Sequence, residues 1–135
     1  MKKCNTLQLH HYAIRIRPKT LASAIKIFEH LWCSISYRPP NTNTWAMVKY
    51  PDIDTRIQLI ETDSIVEETE KKRNSHIAFI SKDPKKELER IKRIIESIWL
   101  KYTQWGRSDK EFYFDCPDIF IDFVIEIMNT SVLNN

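Results

Sequence analysis

The sequence predicts an α+β fold made of two βαβββ modules in a single chain. Three observations carry that prediction. The run His10-His11-Tyr12-Ala13-Ile14-Arg15 is echoed by Ser75-His76-Ile77-Ala78-Phe79-Ile80, which sets His76 65 positions after His11. A helix stripe follows each copy: Leu21, Ala24, Phe28, Leu31 and Trp32 match Leu88, Ile91, Ile95, Ile98 and Trp99 at an offset of 67. Lastly, Pro51-Asp52-Ile53 returns as Pro117-Asp118-Ile119, shifted by 66. Offsets that drift by one or two residues are what small insertions around a duplicated unit produce.

The elements follow in order. Residues Leu7 to Arg17 alternate as a strand, with His11, Ala13 and Arg15 on one face and Tyr12, Ile14 and Ile16 on the other. Pro18 ends it, and Thr20 is the expected N-cap of a helix whose apolar stripe includes Leu21, Ala24, Ile25 and Phe28. Three strands are expected next, Ser34 to Arg38, Thr44 to Tyr50 and Asp54 to Glu61, separated by proline and asparagine clusters that mark turns. The polar stretch Thr62 to Asn74 has no apolar period and reads as the connection. The second module repeats the plan with a strand Ser75 to Ser81 and a helix opened by Asp83-Pro84. Strands over Lys101 to Trp105, Lys110 to Asp115 and Ile119 to Met128 complete it, with Gly106 in the first turn between them. Trp99 is expected in the core, on its helix stripe.

Length and composition bound the rest. A chain of 135 residues is one ordinary domain, here residues 1–135 with modules about 1–62 and 75–130. No apolar run approaches the ~20 residues of a membrane helix, and the basic start Met1-Lys2-Lys3 is not followed by an apolar segment, so a cytoplasmic protein is expected. Cys4, Cys33 and Cys116 are odd in number and widely spaced, which predicts reduced thiols. The net charge of +3 is modest, and the basic run Lys71-Lys72-Arg73 sits beside Glu67, Glu68 and Glu70, so a nucleic-acid face is not expected. Neither module can cover both faces of its sheet alone, so modules must pair, within the chain or between chains.

Aligning His11 with His76 also aligns Glu61 with Glu126, since both pairs differ by 65 positions. Two imidazoles and two carboxylates brought together by approximate two-fold symmetry would suit one divalent ion, zinc, nickel, iron or manganese. Trp45 and Phe112 lie on the middle strands of the two modules and are candidates for substrate contact.

The pieces Leu9-His10-His11-Tyr12-Ala13-Ile14, Ile57-Gln58-Leu59-Ile60-Glu61, Ser75-His76-Ile77-Ala78-Phe79 and Asp122-Phe123-Val124-Ile125-Glu126 resemble the glyoxalase, bleomycin-resistance and extradiol dioxygenase group, the vicinal oxygen chelate superfamily. The resemblance covers nearly the whole chain. It implies a cup-shaped mixed sheet with the helices on its outer face. A full His, Glu, His, Glu set is most like glyoxalase I, which implies a metal-dependent lyase or isomerase working through a metal-chelated enediolate, possibly on the hemithioacetal of a thiol. On that likeness His11, Glu61, His76 and Glu126 are the metal ligands, Glu126 or Glu61 is the catalytic base, and Arg15 holds a substrate carboxylate. The family's glycine after the first helix is absent: Leu31-Trp32-Cys33 stands there. The asparagine expected after the first glutamate is also missing. Two other readings stay open: a drug-binding protein without chemistry, as in bleomycin resistance, and a metal-dependent transferase or dioxygenase in which Glu61 is no ligand. Short glyoxalases share sites between subunits, which implies a homodimer acting on a small molecule.

Overall fold

In the computed structural model, which describes residues 7–134, two four-stranded sheets each carry a helix, and the two helices meet. Strand β1 (His11–Ile16), helix α1 (Leu21–His30), β2 (Ser34–Tyr37), β3 (Trp45–Lys49) and β4 (Arg56–Glu61) form the first module. A short helix, α2 (Thr69–Lys72), lies in the connection, where the sequence showed no period; its single turn rests on packing and not on a stripe. The second module is β5 (His76–Ser81), α3 (Pro84–Ser97), β6 (Thr103–Gly106), β7 (Glu111–Asp115) and β8 (Val124–Asn129), closed by a 3-10 turn at Thr130–Asn134. Cys4 lies outside the described residues.

Both sheets have the same order, β1-β4-β3-β2 and β5-β8-β7-β6, with the first and last strand of each module parallel and the others antiparallel. The sheets do not close on each other. One backbone bridge, Ile16 to Phe120, joins the end of β1 to the segment before β8. No helix among the described residues is long and apolar enough to cross a membrane.

The core lies on the helix face of each sheet, and the two helices join it into one cluster. Leu21, Ala24, Ile27 and Phe28 of α1 and Leu88, Ile91 and Ile95 of α3 are buried against Ala46, Val48, Leu59, Phe114, Ile125 and Ile127 of the strands. At ~25 cal/mol per Å² of apolar area, this shared interior is what a lone module would lack. Each sheet therefore has a helix face, which is buried, and an open face. On β1 and β5 the open-face residues His11, Ala13, Arg15, His76, Ala78 and Ile80 are all exposed.

The helix ends are built differently from each other at one end and alike at the other. At the start of α3, Asp83 Oδ1 accepts from the Lys86 amide at 3.2 Å and Pro84 fills the first turn, as expected. At the start of α1 the side chain of Thr20 makes no cap; Glu61 Oε2 accepts the Leu21 amide at 3.1 Å instead. Both helices end in one motif, in which Cys33 N donates to Phe28 O and Trp32 N to Glu29 O, and likewise Leu100 N to Ile95 O and Trp99 N to Glu96 O. That motif needs a left-handed residue, normally glycine, and the chain puts Trp32 (φ 70°) and Trp99 (φ 64°) there. Trp99 is consequently not core: it is 93% exposed, because the left-handed turn swings it off the helix stripe. Gly106 is the last residue of β6 and not a turn glycine; a Cβ there would stand 3.2 Å from the Phe112 ring.

Candidate metal centre

Sheet register decides which predicted residues share a face, because side chains alternate along a strand and directly opposed residues project to the same side. In the second module Ala78 opposes Glu126, and Glu126 opposes Tyr113. His76, two residues before Ala78, thus shares the open face with Glu126 and Tyr113. The side chains meet: His76 Nε2 lies 3.1 Å from Glu126 Oε1. Glu126 is nearly buried, with 5% of its side chain exposed, whereas 32% of the imidazole is reachable.

The other imidazole nitrogen fixes the ring. His76 Nδ1 is 2.9 Å from the Arg73 carbonyl, an acceptor, so Nδ1 carries a proton and Nε2 is the nitrogen turned to the carboxylate. Tyr113 packs edge-on against this ring with centroids 5.4 Å apart, and its own ring stacks on Trp105 at 5.2 Å. Burial pushes the Tyr113 phenol up; Arg107, donating to its oxygen, pulls it down, and Glu126, accepting from it, raises it again. Arg107 is held above its ordinary value chiefly by that bond to Tyr113. Tyr113, Glu126 and His76 therefore stand together on the open face.

The first module presents its half differently. Ala13 opposes Gln58, so the residue standing where Glu126 stands in the second module is Gln58, not Glu61. The equal offset of the two glutamates conceals three extra residues between the second histidine and its true partner position. Glu61 opposes Ile16, which is buried, so it lies on the helix face, where it holds the Leu21 amide. The structure thus separates Glu61 from the other three predicted ligands. His11 is on the open face with Gln58, its Nδ1 2.8 Å from Nδ1 of His10. Among the described residues, no three His, Cys, Asp or Glu side chains of one chain converge on a common point.

The predicted substrate residues divide likewise. Trp45 opposes Ile60 on the open face and packs against Tyr37, with centroids 5.7 Å apart. Phe112 opposes Ile127 and packs on the core, so it cannot reach the open face. Arg15 is on the open face, but Asp122 Oδ2 accepts from its Nε at 3.0 Å and from its Nη2 at 2.6 Å. Neither Arg107 nor Gln58 stands out in the sequence, whereas Trp105 and Tyr113 count there among the aromatic residues able to line an apolar cavity. Alternation traced across the strands from Glu126 would find Tyr113 once the register is known, but the sequence alone leaves the register open.

The donor set of the second module fits a divalent ion. An imidazole nitrogen and a carboxylate oxygen, each about 2.1 Å from one metal and at right angles, stand about 3.0 Å apart; the pair here stands at 3.1 Å. The imidazole is held from behind by the Arg73 carbonyl, as metal-binding imidazoles usually are by a carbonyl or carboxylate.

This arrangement is the two-module α+β fold of the vicinal oxygen chelate proteins. No protein-family model matches the sequence, and no curated protein matches it. Solved structures do. A glyoxalase family protein from Bacillus anthracis superposes with a TM-score of 0.56 over 95% of this chain and 98% of that one, at 14% identity. The fosfomycin resistance protein FosX from Mesorhizobium loti gives 0.58 over 97% and 98%, also at 14% identity. A mutant of the Listeria monocytogenes FosX, solved with Mn(II) and 1S,2S-dihydroxypropylphosphonic acid, gives 0.54 over 90% of each chain at 17% identity. At these identities the likeness is one of fold.

Proposed function

We propose that this protein is a divalent-metal-dependent enzyme acting on a small oxygenated substrate, with His76 and Glu126 of one chain and His11 of a second copy as its metal ligands. The observation that carries the proposal is the His76 to Glu126 pair, 3.1 Å apart on an otherwise open sheet face, with its imidazole oriented from behind. Manganese in a fold neighbour supports the same choice of ion class. The exposed open faces of β1 and β5 leave room for a second chain to supply the first-module half. Gln58 would come with His11, offering a neutral amide oxygen where a glyoxalase I set would have a carboxylate. Two histidines and one glutamate favour the transferase or dioxygenase side of the superfamily over a lyase.

A bound ion would supply Lewis-acid polarisation of a substrate oxygen. The chain's own groups do the rest. Glu126 is the carboxylate positioned to take a proton, with His76 Nε2 3.1 Å from its Oε1 and Tyr113 opposite it on the neighbouring strand. Trp105 and Tyr113 wall the site with stacked rings and exclude water from one side.

Metal titration of purified protein with manganese, nickel and zinc tests this directly. Wild type should keep close to one equivalent per site after dialysis, and Glu126→Gln and His11→Ala should each lose it. Glu61→Ala should keep it. Mixing the two defective variants should restore about a quarter of the wild-type metal, because only mixed dimers contain one intact site. No retained metal in wild type would leave the ligand-sequestering reading in its place. Full retention by His11→Ala would refute the shared site.

A further inference from the structure

We propose that the substrate carries an anionic oxygen group, a carboxylate or a phosphoryl group, held by Arg73 and Arg107 in the cavity beside His76. This rests on the metal-centre reading for its orientation but not for its chemistry. The cavity holds about 350 Å³ and is lined by Arg73, Asn74, His76, Trp105, Arg107 and Tyr113. No carboxylate lines it.

The charge distribution is uneven in a way that points to a ligand. Arg15, Arg17, Arg90 and Arg93 each have a carboxylate partner, to Asp122, Asp118, Glu87 and Glu89 respectively. Among the described residues Arg38, Arg56, Arg73 and Arg107 have none, and of these four only Arg73 and Arg107 border this cavity beside His76. Arg107 lines the cavity beside Tyr113. Guanidinium donors, with the Asn74 amide, are those that bind carboxylate or phosphoryl oxygens in pairs. Arg73 is held in place: its carbonyl accepts from His76 Nδ1, so its backbone position is tied to the imidazole. One end of a substrate held by both arginines would leave its other end beside His76 Nε2 and Glu126 Oε1.

The test uses inorganic phosphate and acetate as probes on the full chain, chelator-treated and manganese-loaded in parallel. Phenylglyoxal labelling is followed residue by residue by mass spectrometry. Phosphate or acetate should slow labelling at Arg73 and Arg107 and leave Arg93 unchanged, at constant ionic strength set with chloride. The better protector names the class of group. Arg107→Met and Arg73→Met should each weaken the probe's affinity by about tenfold or more, as loss of a charge-assisted contact does. Both residues are exposed, so the variants should fold, and an unchanged circular dichroism spectrum checks it. Equal protection of Arg93, or protection by chloride alone, would show mere screening and overturn the proposal. Protection in chelator-treated protein stands whether or not a metal binds, so a failed metal titration and a failed anion site give different results.

Discussion

Replacing Trp99 by glycine should make the protein more stable. The left-handed backbone at this position (φ 64°) costs an L-residue about 1–2 kcal/mol, which glycine escapes. Glycine loses about 0.4–1 kcal/mol of this through the greater freedom of its unfolded chain. The indole returns almost nothing in burial, being 93% exposed. The balance is about 0.5–1 kcal/mol in favour of Trp99→Gly, or roughly 2–4 °C in Tm for a chain of this size. Differential scanning calorimetry at fixed protein concentration measures it. Trp32→Gly is the internal control: it has the same backbone (φ 70°), but Arg90 lies over its ring at 5.2 Å and only 62% of the residue is exposed. That cation–π contact, about 0.5–1 kcal/mol, should cancel most of the gain. A fall in Tm for Trp99→Gly would refute the reasoning, since the indole would then be making contacts worth more than the strain.

Other outcomes follow from the same structure. Lys72→Met should destabilise by about 3–5 kcal/mol, because it leaves the fully buried Asp115 carboxylate without its partner at 2.8 Å; urea unfolding reads this. Phe112→Ala should cost about 2–3 kcal/mol by denaturation and leave metal binding unchanged, as a helix-face residue must, whereas Trp45→Ala should cost less. Burial raises the Cys33 thiol to about 11 and the Cys116 thiol to about 12. Native protein at pH 8 should therefore label slowly at both with a thiol reagent, located by mass spectrometry. A thiol whose folded pKa is raised stabilises the fold fully below its unfolded value of 9.0, and that contribution should be lost as pH climbs from 9 towards 12.

The parts of this fold that were legible in the sequence are those set by local period and break. The stripes of α1 and α3 repeat so regularly that Leu21, Ala24 and Phe28 could be matched to Leu88, Ile91 and Ile95, and all six are buried. The alternation of β1 and β5 placed His11 and His76 on like faces. What was not legible was cross-strand register, since it depends on how many residues the intervening helix and turns consume. The second module spends three more residues between its first and last strands, so Gln58 and not Glu61 stands where Glu126 does, and Glu61 falls on the helix face. Phe112 failed for the same reason: its neighbour Tyr113 takes the open face. Trp99 was misread because a helix stripe continues on paper through a residue whose backbone has already turned left-handed.

The connection between modules ends in a buried ammonium. Lys72 Nζ donates to Asp115 Oδ1 at 2.8 Å and to the Phe120 carbonyl at 2.9 Å, and Thr69 donates to the other carboxylate oxygen at 2.5 Å. Neither charge is reached by solvent. Phe120 is also the residue that bridges to β1, so a single cation clasps the linker, the second sheet and the seam with the first module. For the modules to trade partners within a chain, both ions would have to be drawn into water before anything else could move. The choice of which module lies beside which is thus made once, when the chain folds.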